Sequence, residues 1–298
     1  MAVSSRHLAC HGPTFGALGR AALASLLSGS GKGTAPETPG PWIHGTASSP
    51  PEALVRDFVR NAGGEPSHYR GVVPPHLFPQ WTFSLSSRLF ASTSYPLVRI
   101  LNAGCVMEPR SPLPAGEPLV LRARLESIED DGARALISVR VITGTRGSPD
   151  ALETILSGYV PLARRDREAR KPRPTVPLDA KELSFFYLSA GAGLDFAKLT
   201  GDLNPIHWVP AYARVSGFSS CILHGFAMFA RAVEALNRGR FSGDLGRLER
   251  IEARFVRPLP LPRSAGVYLA EPGRIYLGDA PGGGIYLDGH FSAHGSLS

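Results

Sequence analysis

The sequence predicts an α+β chain in which one unit, helix first and antiparallel sheet after, occurs twice. Three observations predict it. The order of helical and strand-like runs in residues 41–163 recurs in residues 178–298. Pro112, Leu113 and Pro114 are echoed by Pro258, Leu259 and Pro260 at the same place in each run of strands, and Asp57 and Phe58 by Asp195 and Phe196. Third, 298 residues suffice for two ordinary domains, and such self-similarity is the mark of an internal duplication. Hydrophobic residues make up 43% and charged residues 19%, which excludes a disordered acidic chain, a collagen-like repeat and a coiled coil.

Residues 1–36 carry Arg6, Arg20 and Lys32 but no Asp or Glu. Organelle transit peptides share that composition with solvated arms; residues 1–40 are read as a flexible N-terminal arm. In the first unit, 41–163, a short helix is expected at 51–61 and a second helical segment at 75–92. Pro74, Pro75 and Pro79 bar a regular helix before about Gln80 and lead to the expectation of a cavity beside the polar loop at 200–208. The runs LVRILNAGCVM, PLVLRARLESI, RALISVRVIT and LETILSGYVPL, separated by PRSPLPAGE, EDDGA and GTRGSPD, then read as four antiparallel strands. A Pro- and Arg-rich stretch interrupts all periodicity and places a linker at 164–177. In the second unit, 178–298, KELSFFYL alternates as a strand and Ser189 opens a helix through Ala197. A polar loop follows at 200–208. HGFAMFARAVEAL places Phe226, Phe229, Val233 and Leu236 on one face of a helix, and four strand-like runs close the chain at 247–256, 264–271, 273–278 and 284–292.

The densest chemistry lies in the polar loop. Asp202, Asn204 and His207 fall within six residues, with Pro205 holding the turn away from helix and strand. A carboxylate beside an imidazole supplies a base near neutral pH and an acceptor for the ring, which is the equipment for moving a proton between carbon and oxygen. Gly225 sits at the start of the following helix, where an unpaired backbone N–H can stabilise a developing oxyanion and the missing side chain admits close approach.

Phe196, Gly201, Asp202, Asn204, Pro205, His207, Tyr212, Ala213, Gly217, Phe218, His224 and Gly225 stand in the order and spacing of the MaoC-like, (R)-specific enoyl-thioester hydratase family, which the sequence resembles. The resemblance implies a double hot-dog fold, two antiparallel sheets each wrapping a central helix. By the same resemblance the N-terminal unit is a degenerate partner and the C-terminal unit the catalytic one, and Asp202, Asn204, His207 and Gly225 are the catalytic residues. The implied reaction is reversible syn hydration of trans-2-enoyl thioesters to (R)-3-hydroxyacyl thioesters, or the reverse dehydration, in fatty-acid-type metabolism. It needs no metal or other cofactor, and coenzyme A or an acyl carrier protein bears the thioester. One departure is Ala230, where some single-domain members carry serine.

Two alternatives share the fold: a non-catalytic acyl-thioester-binding partner subunit, which has no use for the acid–imidazole pair, and a hot-dog acyl thioesterase. The net charge of +7 favours an anionic partner without choosing one. Arg214, Arg231, Arg238 and Arg240 are read as solvated surface, with coenzyme A phosphates as the alternative, and Tyr212 and Phe218 as packing residues. His224 is read as positioning the helix start. No zinc, Gly-rich or aromatic-basic motif supports a nucleic-acid partner, and no run of 18 apolar residues supports a membrane span. Cys10, Cys105 and Cys221 have no paired spacing, so a cytoplasmic, reducing location is the default. The expected assembly is a pseudo-dimeric monomer or a homodimer.

Overall fold

Strand-forming runs rich in Val, Ile and Leu alternate with polar turns in both halves, and in the structure they zip into one sheet. A computed structural model of the chain describes residues 3–12, 16, 36–95, 100–162 and 174–295. In chain order the elements are a 3-10 helix Ser5–His11, β1 (Ile43–Ala47), α1 (Glu52–Asn61), β2 (Val72–Val73), α2 (Pro79–Ala91), β3 (Leu101–Pro109), β4 (Leu113–Pro114), β5 (Leu119–Asp130), β6 (Arg134–Gly144) and β7 (Leu152–Pro161). The second half adds β8 (Lys181–Leu188), α3 (Ala192–Thr200), α4 (Pro210–Val215), α5 (Gly225–Gly239), β9 (Leu248–Phe255), β10 (Arg263–Ala270), β11 (Arg274–Gly278) and β12 (Ile285–Ala293).

The two expected sheets are joined edge to edge into one ten-stranded sheet of order β1-β5-β6-β7-β3-β9-β12-β11-β10-β8. Read outward from its centre, β3-β7-β6-β5-β1 matches β9-β12-β11-β10-β8, so the duplication seen in letters is also a duplication of topology. The seam is the antiparallel pair β3–β9, with Gly104 opposite Arg254 and Met107 opposite Ile251. The proline echo has a structural counterpart. Val72 pairs with Pro114 in the first half and Ile222 bridges Pro260 in the second, which puts Pro74 and Pro75 where the second half has His224 and Gly225.

The helices lie inside the curl of the sheet. Phe226, Phe229, Val233 and Leu236 of α5 are all buried, as the spacing predicts. Phe78, just ahead of α2, sets its ring edge-on to Phe226 at 5.4 Å and to Phe229 at 6.1 Å, contributing the edge-to-face attraction of aromatic pairs as well as buried area. That ring joins the start of α2 to the central helix of the second half. A polar contact also crosses between the halves: buried His76 and Glu234 pair at 3.1 Å, and Asn237 donates to the Tyr69 hydroxyl at 3.1 Å.

Several elements depart from expectation. β1 was not foreseen, because its five residues include Gly45 and it is ordered by pairing with β5. α3 begins at Ala192 rather than Ser189, after a turn closed by the Ala192 N–H on the Ser189 carbonyl. α4 was missed, being only six residues long. The linker expected at 164–177 lies mostly outside the described residues, but its end is docked: Thr175 bridges Gly284, and buried Val176 bridges Pro281. Within the expected flexible arm, residues 3–12 are packed rather than free, with Val3, His7 and His11 buried.

Candidate active site

Each residue of the Asp202 loop is placed by a local rule. α3 stops at Gly201, whose φ of 80° is the left-handed conformation favoured by glycine and whose N–H closes on the Ala197 carbonyl at 2.8 Å. Asp202 Oδ1 then accepts from the Asn204 N–H at 3.3 Å, and Asn204 Oδ1 accepts from the Ile206 N–H at 3.2 Å. These side-chain turns compete with helix continuation and cap a 3-10 turn, Pro205–His207, with proline at its first position. Asn204 itself faces solvent, so what the geometry assigns it is the shaping of the loop.

That turn drives His207 inward, where 8% of it remains exposed. Its Nδ1 lies 2.7 Å from the Ile222 carbonyl. A carbonyl only accepts, so Nδ1 carries the proton and Nε2 of the neutral ring is left with its lone pair. Burial lowers the His207 pKa, against the opposing charge of Asp202 and the Ile222 contact, so the neutral form persists to lower pH than in free imidazole. Asp202 is half-buried beside it.

His224 precedes Gly225 at the start of α5, as expected, but does more. Its ring stacks on that of His207 with centroids 3.5 Å apart. Its Nε2–H donates to the Asp202 backbone carbonyl at 3.0 Å, tying the helix start to the loop. Burial first, and the neighbouring His207 second, push its pKa down to about 3. The sequence signal was present, since His224 immediately precedes Gly225, but contact with a loop 22 residues earlier is tertiary.

A stability prediction follows from His224. The folded pKa lies below the ordinary 6.5, so the native state binds fewer protons than the unfolded chain below that value. The contribution is present above pH 6.5 and is lost as pH falls from there toward about 3. His224→Gln, which keeps a donor for the Asp202 carbonyl, is expected to flatten the fall of the urea midpoint between pH 6.5 and pH 4.5 relative to wild type, as measured by far-UV circular dichroism.

Gly225 opens α5 ahead of the first intrahelical bonds, which Ala227 and Met228 donate to the His224 carbonyl. Its own N–H is one of the donors a helix N-terminus leaves over. A Cβ on Gly225 would sit 2.5 Å from Cδ2 of Phe255, so β9 has closed on this backbone in a way only glycine permits. Ala230, in the second turn of the helix, is buried and brings no hydroxyl.

Asp202, His207 and His224 each offer a ligand atom within 4.8 Å of the others, a spacing a cation accepts. The rings themselves do not fit one. They are stacked with 23° between their planes, so their in-plane lone pairs run nearly parallel instead of converging, and Nδ1 of His207 and Nε2 of His224 are engaged by carbonyls. The arrangement suits proton transfer.

A cleft of about 410 Å³ adjoins the loop through Ile222 and is lined by Phe218, Ser219, Val256, Arg257 and Pro260 among others, but not by Asp202, His207 or Gly225. Phe218 thus faces a cleft, and Tyr212 is 47% exposed rather than packed. Of the arginines read as solvated surface, Arg214 and Arg238 are exposed. Arg238 donates to the Gly63 carbonyl at 2.8 Å, and Arg240 lies 3.7 Å from Glu271. Arg231 is buried, its guanidinium over the Phe186 ring at 5.4 Å, and desolvation pulls its pKa down to about 10.

Two helix-and-sheet units sharing a seam, with an acid–imidazole loop set against the start of one central helix, define a double hot-dog protein. A family model described as MaoC like domain matches residues 165–276. The 3-hydroxyacyl-thioester dehydratase X of Mycobacterium tuberculosis is 43% identical over 77 residues, 26% of this chain and 25% of that protein. A MaoC-like dehydratase from Phytophthora capsici superposes with a TM-score of 0.69 at 20% identity, covering 87% of this chain and 96% of that one. A M. tuberculosis protein described as having a double hotdog fold gives 0.55 at 14% identity, covering 86% and 96%. Residues 165–276 are thus similar to the MaoC-like domain, and the whole chain shares the fold of the solved MaoC-like dehydratases. Its matches span a quarter or less of the length of the curated relatives.

Proposed function

We propose that the chain is a hydro-lyase that adds water reversibly and syn across trans-2-enoyl thioesters, giving (R)-3-hydroxyacyl thioesters carried on coenzyme A or an acyl carrier protein. The observation that carries this reading is the placement of the Asp202 carboxylate and the His207 imidazole within 4.8 Å of each other, on a loop that His224 ties to the start of α5. His207 Nε2, the free lone pair, takes a proton from water as its oxygen bonds to C3. The electron pair of the double bond moves to the thioester, and the resulting enolate oxygen is held by the Gly225 N–H at the positive end of the helix. The imidazolium, stabilised by Asp202, returns its proton to C2 on the same face. One group acting as base and then acid makes the addition syn. Asn204 holds the loop in shape.

The N-terminal half serves as partner, not as a second site. Pro75 stands where Gly225 stands and has no N–H to donate, and no Asp-x-Asn precedes Pro66. Cys10, Cys105 and Cys221 are free thiols, which agrees with a reducing, cytoplasmic setting. No helix among the described residues is long and apolar enough to cross a membrane.

The test is to follow the enoyl-thioester absorbance band with crotonyl and longer coenzyme A esters while titrating free thiol. Loss of the band without thiol release supports hydration. Thiol release in its place favours a thioesterase. Gly225→Ala should lower kcat by about 10²–10³, the usual loss for one oxyanion donor, because the added methyl meets Phe255. A Gly225→Ala protein with near wild-type kcat would remove that role.

A further inference from the structure

We propose that residues 3–12 form a strap that sets the catalytic loop, with His11 as a positioning residue for Asp202. The inference rests on the reading of Asp202 and His207 given above. The strap is a short 3-10 helix, Ser5–His11, begun by Ser4, whose hydroxyl accepts from the Arg6 N–H at 3.4 Å. Arg6 faces solvent, whereas His7 and His11 are 3% and 0% exposed, so one side of this segment is embedded in the body of the protein.

Three sets of contacts fix it. Asp195 Oδ1 accepts from the Val3 N–H at 3.1 Å and Lys198 Nζ donates to the Val3 carbonyl at 3.0 Å, so both backbone groups of Val3 are held by one turn of α3. His7 Nε2 meets Asp57 of α1 at 2.8 Å. Asp57 and Asp195 are the pair that marks the internal repeat in the sequence, and the adjoining Phe58 and Phe196 rings lie 6.2 Å apart. One asymmetric segment therefore takes hold of the repeated carboxylate in each half, across the place where α1 and α3 meet.

The third contact reaches the site. Lys198 lies in the last turn of α3, where carbonyls have no intrahelical donor. His11 Nε2–H donates to that carbonyl at 2.9 Å. The His11 ring also lies against Gly201: a Cβ there would fall 2.9 Å from His11 Cγ. Gly201 is the residue whose φ of 80° ends the helix, and the next residue is Asp202. His11 thus closes the helix end from outside while the left-handed glycine closes it from within. Together they fix the direction in which the chain leaves toward the carboxylate. Burial holds His11 in its neutral form, so the contact does not depend on a charge.

A misplacement on the order of 1 Å at a catalytic group costs about 10²-fold in rate, which sets the scale of the test. His11→Ala, His11→Gln and Arg6→Ala are made in the full chain. Kinetics on crotonyl-coenzyme A are measured together with amide hydrogen exchange of the peptide spanning residues 200–208. The expected result for His11→Ala is a kcat about 10- to 100-fold lower, KM within about twofold, and faster exchange in the loop. Gln places an amide N–H near the position of Nε2, so His11→Gln should restore most of kcat and slow the exchange again. Arg6→Ala should match wild type. Wild-type kcat and unchanged exchange in His11→Ala would overturn the proposal. So would a loss of activity in His11→Ala that tracks a lowered melting temperature and is not recovered in His11→Gln. If wild type itself shows no hydration, the functional reading fails, and the exchange comparison still decides whether the strap orders the loop.

Discussion

Asp202→Asn and His207→Ala each lower turnover by about 10²- to 10⁴-fold while the fold is retained, the range expected when a positioned acid or base is lost. The two changes act on different parts of one device. Removing the His207 ring removes the Nε2 lone pair aimed by the Ile222 carbonyl, and also the lower face of the stack on His224. Asp202→Asn keeps the backbone carbonyl that receives the His224 N–H and removes only the charge that supports the imidazolium. Asp202→Asn is therefore the cleaner test of chemistry, and its circular dichroism and melting temperature should stay close to wild type. Near wild-type turnover in either variant would dissolve the assignment.

Residues 178–298 expressed alone are expected to be insoluble or inactive. In the whole chain β9 is a central strand, paired with β3 on one side and β12 on the other. Cutting the chain leaves its inner edge as a long unpaired row of N–H and C=O groups, a template for aggregation. The same cut bares Phe226 and Phe229, which Phe78 covers, and leaves buried Glu234 without His76. A buried carboxyl group left without its partner destabilises the fragment further. A soluble, monomeric and fully active fragment would show that the N-terminal half is dispensable. Size-exclusion chromatography and the hydration assay together decide it.

Much of this was legible in the sequence because it depends on local chemistry. The helix stop at Gly201, the turns made by Asp202 and Asn204, and the apolar face of α5 all follow from residue type and spacing. The duplication could be read from Pro112–Pro114 and Pro258–Pro260 because those prolines mark the same pairing in both halves. What escaped depends on contacts between segments far apart in the chain. The stacking of His224 on His207, the packing of Phe78 on Phe226 and Phe229 and the joining of two sheets through β3 and β9 have no local signal. The docking of residues 3–12 is the strongest case. A stretch without acidic residues reads as a solvated arm until its partners, Asp57, Asp195 and the carbonyl of Lys198, are brought together by the fold.

The most direct measurement is the stereochemistry of hydration in heavy water. With trans-crotonyl-coenzyme A in D₂O, the account predicts a product of R configuration at C3, with deuterium delivered to C2 on the face that received the hydroxyl. A product of S configuration, or deuterium on the opposite face, would contradict it.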